Sequence, residues 1–289
     1  MSWRAVHVYA HTRLDVLVKQ CLPLWAAPYE RSFFIRYWQG GPHLRLRVDL
    51  PRQSDLAALR ARIIDDLAAV PATDTFDGEA FAADQAVYAA LEGSATGPAP
   101  LVPDGTVIER PYEPEYGKYG GPVGVEIAES LFVTSSRLVL AQASSRISEE
   151  AKLLTLLTAL RATAMPRAEM LRFLDYYQMS WSNYVTASGW SAWGDSPDVP
   201  MSTHTKAELL LRTPVKKLNA WGRAVAEAFA ACVRVEDSVR GALTQADPLA
   251  ADWTHQVLIH YIHTHFNRMG VLPEEEARLG HLAFVLLAS

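Results

Sequence analysis

Histidine is the side chain most able to move protons near neutral pH, and one stretch of this chain concentrates it. Residues 251–270, ADWTHQVLIHYIHTHFNRMG, carry His255, His260, His263 and His265 on one predicted helix. Ile259, Ile262, Phe266 and Met269 make the apolar stripe. His260, His263 and Asn267 fall at i, i+3 and i+7 on a neighbouring stripe. An i, i+3 histidine pair could hold a metal ion, but no carboxylate or cysteine lies nearby in sequence to complete the ligand set, so no metal is expected. A lone helical histidine is more often structural than catalytic. Arg45, Arg47, Glu115 and Lys118 elsewhere in the chain make His263 a candidate general acid/base.

Three further stretches carry reactive side chains. FFIRYWQGGPHLRLRVD at 33–49 reads as a β-hairpin turning at Gly40, Gly41 and Pro42. In its second strand Leu44, Leu46 and Val48 alternate with His43, Arg45, Arg47 and Asp49. That polar face is either solvated, with partners such as Asp49, or the lining of a pocket for a polar substrate. The second stretch, YEPEYGKYGG at 112–121, packs Glu113, Glu115, Lys118 and three tyrosines among glycines, which reads as a polar or catalytic loop. The third, 178–204, holds three tryptophans, Tyr184 and many hydroxyls. It reads as a long loop that either packs on the surface or covers a peptide or ring-bearing ligand.

The elements that must position these residues follow from periodicity. A strand is predicted at 3–10, a helix at 13–28 with Pro23 inside it, strands at 33–38 and 43–49, and a helix at 53–69 with Ser54 and Asp55 as cap candidates. That order opens a split βαβ, or ferredoxin-like, unit, with both helices on one sheet face and a closing strand at 106–112. A helix is expected at 78–92, because a connection spanning 71–105 without structure would be unusual. Beyond it the chain is mainly helical: 124–142, 148–162 and 167–180, with Ser148 and Pro166 as starts, one or two helices in 206–242, then 248–269 and 273–288. The fold class is therefore α+β. A single domain of 1–289 is expected, with an α+β half at 1–121 and a helical half at 122–289.

Composition narrows the function. With 49% hydrophobic and 20% charged residues the chain is globular, and its net charge of −5 gives no general attraction to nucleic acid or anionic membrane. Cys21 and Cys232 sit in apolar helical settings and read as buried thiols, which implies a reducing cytoplasm. No signal peptide, membrane span, CxxC, HExxH, dinucleotide or P-loop pattern is found.

Three ordered motifs carry a resemblance. FFIRYWQGGPHLRLR, then YEPEYGKYGG followed by Ala128, Glu129, Leu131, Phe132, Ser135 and Ser136, then HTHFNRMG, resemble the C-terminal elimination-type domain of class I lantibiotic dehydratases. Stand-alone members of that family either eliminate glutamate from glutamylated serine or act as pyridine synthases of thiopeptide pathways. Those synthases join two dehydroalanines in a formal [4+2] aza-cycloaddition, with loss of water and leader peptide. WRAVHVYAH together with the GGPHLRLR hairpin is more similar to the synthases. The family's glycine-loop arginine is Lys118 here, a departure from the elimination pattern.

The resemblance implies that Arg45, Arg47 and His263 sit on functional motifs. The expected roles are His263 as acid/base, Tyr184 and Ser180 as hydrogen-bond donors, and Glu115 as a further catalytic group. Arg45, Arg47, His43, Tyr119, Lys118, Trp181 and Asn267 are expected to bind substrate. Arg45, Glu115 and His263 are expected to line one cavity. No cofactor is implied. The implied partners are a precursor peptide with leader, azoles and dehydroalanines, and other thiopeptide maturation enzymes. Neither nucleic acid nor membrane is implied, and a homodimer is left open. Two rivals stand beside this reading: a glutamate-eliminating lyase, and a non-enzymatic leader-binding partner of other maturation enzymes.

Overall fold

A computed structural model describes residues 3–50, 52–72, 75–91, 99–187, 199–243 and 252–289. Two compact units divide the chain. One comprises residues up to 113 with 139–144 and 267–270, and the other comprises 114–138, 145–266 and 271–289.

The first unit is built on four antiparallel strands, β1 (Trp3–Tyr9), β2 (Ser32–Tyr37), β3 (His43–Asp49) and β4 (Val107–Arg110), in the order β2-β3-β1-β4. Inserting β3 between β1 and β2 is the split βαβ arrangement predicted by the element order. The β2–β3 turn places Gly40 at φ +78° and Gly41 at φ +112°, and a Cβ on Gly41 would meet the His11 ring at 2.6 Å.

Strand alternation sorts the two sheet faces. Val6, Val8, Phe34, Leu44, Leu46 and Val48 are buried in one cluster with Leu17, Leu22 and Trp25 of the first helical segment and Leu56, Leu59 and Ile63 of the second. Both helical segments therefore cover one face, as expected. The first is not one regular helix. It runs as α1 (Leu14–Val16), a π-turn (Leu17–Cys21) and α2 (Leu22–Ala26). The π-turn lies just before Pro23, which removes an N–H and crowds the carbonyl four residues back. The second, α3 (Gln53–Ala69), has the predicted bounds but a different start. Arg52 is the N-cap without a side-chain bond, and Asp55 lies in the first turn, paired with Arg52. Helix α4 (Gly78–Leu91) fills the connection, and β4 ends before Pro111, which cannot donate to the ladder.

The edge strand β2 is closed by side chains. Asn267 accepts from the Arg36 N–H at 2.8 Å and donates to the Arg36 carbonyl at 3.0 Å, while Arg268 Nε donates to the Phe34 carbonyl at 2.7 Å.

The second unit is helical. A short helix α5 (Tyr116–Tyr119) precedes α6 (Gly121–Ala141), whose last residues belong to the first unit. Between these helices Gly120 adopts φ +80°, and a Cβ there would meet the Val239 backbone oxygen at 2.6 Å, so only glycine fits. Then come α7 (Glu149–Ala162), capped by Ser148 as predicted, α8 (Arg167–Ala187), α9 (Met201–Arg212) and α10 (Ala220–Arg234), capped by Asn219. A short 3-10 turn (Val215–Lys217) joins α9 to α10. Helices α11 (Glu236–Ala242), α12 (Trp253–Met269) and α13 (Pro273–Ala288) complete the chain.

The predicted loop at 178–204 is a misreading of its flanks. Helix α8 continues to Ala187 and α9 begins at Met201, while 188–198 lie outside the described residues. The hydroxyls that suggested a loop are accommodated by bonding back along the helix, as when Ser180 Oγ donates to the Tyr176 carbonyl at 2.9 Å. Both cysteines are buried free thiols. Among the described residues no helix is long and apolar enough to cross a membrane.

Candidate functional site

Helix α12 presents His263 to α13 and α8 within the second unit. Its Nδ1 lies 2.7 Å from Glu276 Oε1, and the other oxygen of Glu276 accepts from the Tyr177 hydroxyl at 2.6 Å. Glu276 is fully buried, whereas the His263 side chain is 27% exposed. Facing a carboxylate, Nδ1 donates, and in the neutral tautomer this leaves the lone pair on Nε2. The Trp181 indole stacks on the imidazole with centroids 4.6 Å apart. Burial and the neighbouring Glu276 carboxylate push the Tyr177 phenol well above its ordinary pKa, so it remains a donor.

The other three histidines of α12 differ from it. His265 is buried, stacked on Trp221 at 3.8 Å and hydrogen-bonded to Ser135 at 2.8 Å. His255 is fully buried between Phe173 and Tyr176, with Nε2 2.6 Å from Glu169 Oε1. His260 is held neutral, its pKa pushed down to about 3 by burial and then by Lys118, against the opposing charge of Glu115. Among the described residues no three His, Cys, Asp or Glu side chains gather as a metal ion requires.

The first unit presents a second set of polar groups on the sheet face away from its core. Cross-strand register lays Tyr37, His43 and Tyr9 in one row, Ile35, Arg45, His7 and Ile108 in the next, and Phe33, Arg47, Ala5 and Arg110 in a third. Arg45 lies over the Tyr37 ring at 3.3 Å and donates from Nε to His43 Nε2 at 3.2 Å. His43 is fully buried, and its Nδ1 donates to the Gly41 carbonyl at 2.8 Å. Each ring nitrogen therefore has one partner that suits a neutral tautomer. Burial pushes the His43 pKa down to about 3, and burial with Arg45, His43, Arg47 and Arg110 pushes His7 to about 2. Arg47 sits 5.3 Å over Phe33 and 5.4 Å over Tyr112. Aromatic faces and, for Arg45, the His43 imidazole thus contact the arginines and hold their orientation.

The remaining predicted site residues fall in distinct settings. Glu115 and Lys118 pair with each other at 2.5 Å in the second unit. Tyr119 is buried against Phe132 and Tyr261. Trp181 meets His263, and Ser180 bonds back to its own helix. Tyr184 lies on α8, and its side chain is outside the described residues. Asn267, Arg45, Arg47 and His43 belong to the first unit, and Glu115 and His263 to the second. Sequence reasoning missed Glu276, Tyr177 and His7. A signal existed for Glu276: it shares the buried stripe of α13 with Leu279, Ala283 and Leu287, where a carboxylate needs a partner.

The profile of a family described as "Lantibiotic biosynthesis dehydratase C-term" matches residues 3–287. No individually curated protein matches in sequence. Among solved structures, "Pyridine synthase, TbtD, from thiomuracin biosynthesis" is similar with a TM-score of 0.68 at 18% identity, covering 100% of this chain and 98% of that one. TsrL is similar at 0.56 and 14%, covering 99% and 94%. The tRNA-dependent lantibiotic dehydratase MibB from Microbispora sp. 107891 is similar at 0.53 and 16%, covering 98% of this chain and 28% of that one.

Proposed function

We propose that this chain, which belongs to the lantibiotic dehydratase C-terminal family, is a thiopeptide-maturation enzyme that closes a pyridine ring on a ribosomal precursor peptide. One observation carries the reading. His263 has its Nδ1 against a buried carboxylate, which in the neutral tautomer leaves Nε2 with the lone pair, and its side chain is 27% exposed and stacked on the Trp181 indole. The likeness in fold to a pyridine synthase over the whole of both chains supports the choice of reaction within the family.

The chemistry needs proton transfers and positioning. One dehydroalanine and its neighbouring amide form the diene as the amide shifts to its iminol, so a base must take the N–H proton while the oxygen is protonated. Addition to the second dehydroalanine forms the six-membered ring. That addition also closes the macrocycle, and loss of water and then of the leader as an amide makes the six-membered ring aromatic. Each loss moves one proton from the ring and delivers one to the leaving group, a task for a single neutral imidazole acting alternately as base and acid. Holding two distant residues of one peptide together supplies much of the remaining acceleration. Arg45 and Arg47, held by aromatic faces, orient the peptide, and the leader binds the first unit along the sheet.

The test is mass spectrometry of the purified protein incubated with an azole-bearing, bis-dehydroalanine precursor. Loss of water together with release of the intact leader amide is expected. Consumption of a glutamylated precursor instead, with release of glutamate, would assign the lyase activity. Leader binding with no mass change in either peptide would assign a non-enzymatic partner.

A further inference from the structure

We infer that Glu276 and Tyr177 form a buried positioning relay that fixes the tautomer and orientation of His263, so that Nε2 alone exchanges protons with the substrate. The inference rests on the proposed acid/base role of His263 and names residues that neither the motifs nor the family match marks. Three helices contribute one member each: Tyr177 from α8, His263 from α12 and Glu276 from α13.

The geometry leaves the carboxylate little alternative. Glu276 is fully buried, and its two oxygens are divided between the Tyr177 hydroxyl at 2.6 Å and His263 Nδ1 at 2.7 Å. A buried carboxylate without partners is costly, so these contacts hold it in place. The tyrosine is the outer anchor, being itself fully buried with its ring against Phe173 and Trp181. Gly280, one turn along α13, would meet the Tyr177 ring at 2.9 Å if it carried a Cβ, so the helices approach closely at the relay. Trp181, one turn beyond Tyr177 on α8, stacks on the imidazole and sets the plane in which it sits. When Nε2 takes a proton, the positive charge forms 2.7 Å from a fixed carboxylate and the ring need not turn. Charge development is thus favoured at a site whose other histidine on that stripe, His260, is held neutral.

The experiment has two independent readouts. Long-range proton–nitrogen NMR of histidine-labelled full-length protein reports which ring nitrogen of His263 carries the proton, without any substrate. The wild type should show Nδ1–H with a lone pair on Nε2. In Glu276→Gln, whose amide can donate as well as accept, that signature should shift toward Nε2–H. With the bis-dehydroalanine precursor, Glu276→Gln should lower kcat by roughly 10- to 1000-fold with KM within about threefold, because the relay acts on proton transfer rather than on peptide binding. A folded Glu276→Gln protein with an unchanged tautomer, or with a wild-type kcat, overturns the inference. Should that variant fail to fold, Tyr177→Phe decides. It removes one hydroxyl, and a kcat loss of about three- to tenfold is expected, whereas a wild-type kcat overturns the relay. If the wild-type protein leaves the precursor unchanged, the proposed reaction fails, while the NMR readout still decides whether Glu276 positions His263.

Discussion

His43 shows how one residue acquires a role that its sequence position only hinted at. Alternation put it on the polar face of β3 beside Arg45 and Arg47, and in that respect the sequence was legible. What alternation does not contain is burial or tautomer. The fully buried ring donates through Nδ1 to Gly41 and accepts from Arg45 through Nε2, so protonating it would place a charge without solvent beside two arginines. A pKa of about 3 in the fold, against about 6.5 in the unfolded chain, means that the unfolded state binds the proton more readily between those values. The stabilisation is fully present above pH 6.5 and is lost as pH falls toward 3. At pH 5 relative to pH 7 the loss from this residue alone is about 2 kcal/mol. Urea unfolding at the two pH values should show it. His43→Gln, although weaker at pH 7, should lose correspondingly less stability on acidification. An equal pH dependence in the variant would show that His43 is not the titrating group.

Elements were easier to locate than to end. The strands, the hairpin, α3, α7 and α13 were legible because each has a clean period of two or 3.6 and a recognisable break. The 178–187 stretch was not, because its serines, tryptophan and tyrosine were weighed as loop composition. Their spacing was the better guide: Phe173, Tyr177 and Trp181 recur every fourth residue and are buried along one side of α8. The ends of elements also carry long-range work that local patterns cannot show. Asn267 and Arg268, at the end of α12, lie more than two hundred residues from the edge strand whose backbone they satisfy. Arg268 is fully buried, and Phe34 O is one of its acceptors. Asn267→Ala, which leaves both the N–H and C=O of Arg36 without their partner, should cost about 1–2 kcal/mol. Arg268→Ala, which also opens a cavity, should cost about 3 kcal/mol or more. Chemical denaturation of the two variants measures both. A neutral Arg268→Ala would mean that β2 is not held by this contact.

At the scale of the whole chain, the candidate chemistry and the proposed leader site fall in different compact units, and this makes the proposed function separable by experiment. His263, Glu276, Tyr177 and Trp181 belong to the helical unit, while Arg45, Arg47 and the sheet belong to the other. The net charge of −5 gives no general attraction to polyanions, and the proposed peptide recognition rests on local groups such as the arginine face and strand edges. If the leader binds the sheet-bearing unit and His263 moves protons, the two functions should respond to different substitutions. His263→Ala should slow ring formation by about 10²- to 10⁴-fold, the range for loss of a general acid/base. Its leader-peptide affinity, measured by fluorescence polarisation, should stay within a few-fold of the wild type. Arg45→Gln removes the cation stacked on Tyr37 and should act mainly on KM for the full precursor, by about tenfold, if orienting the peptide is its task. Should His263→Ala form the ring at the wild-type rate, its acid/base role is wrong. Should leader affinity collapse in that variant instead, α12 is a binding element, and the proton transfers must be sought among other side chains, with Tyr184 the first to replace.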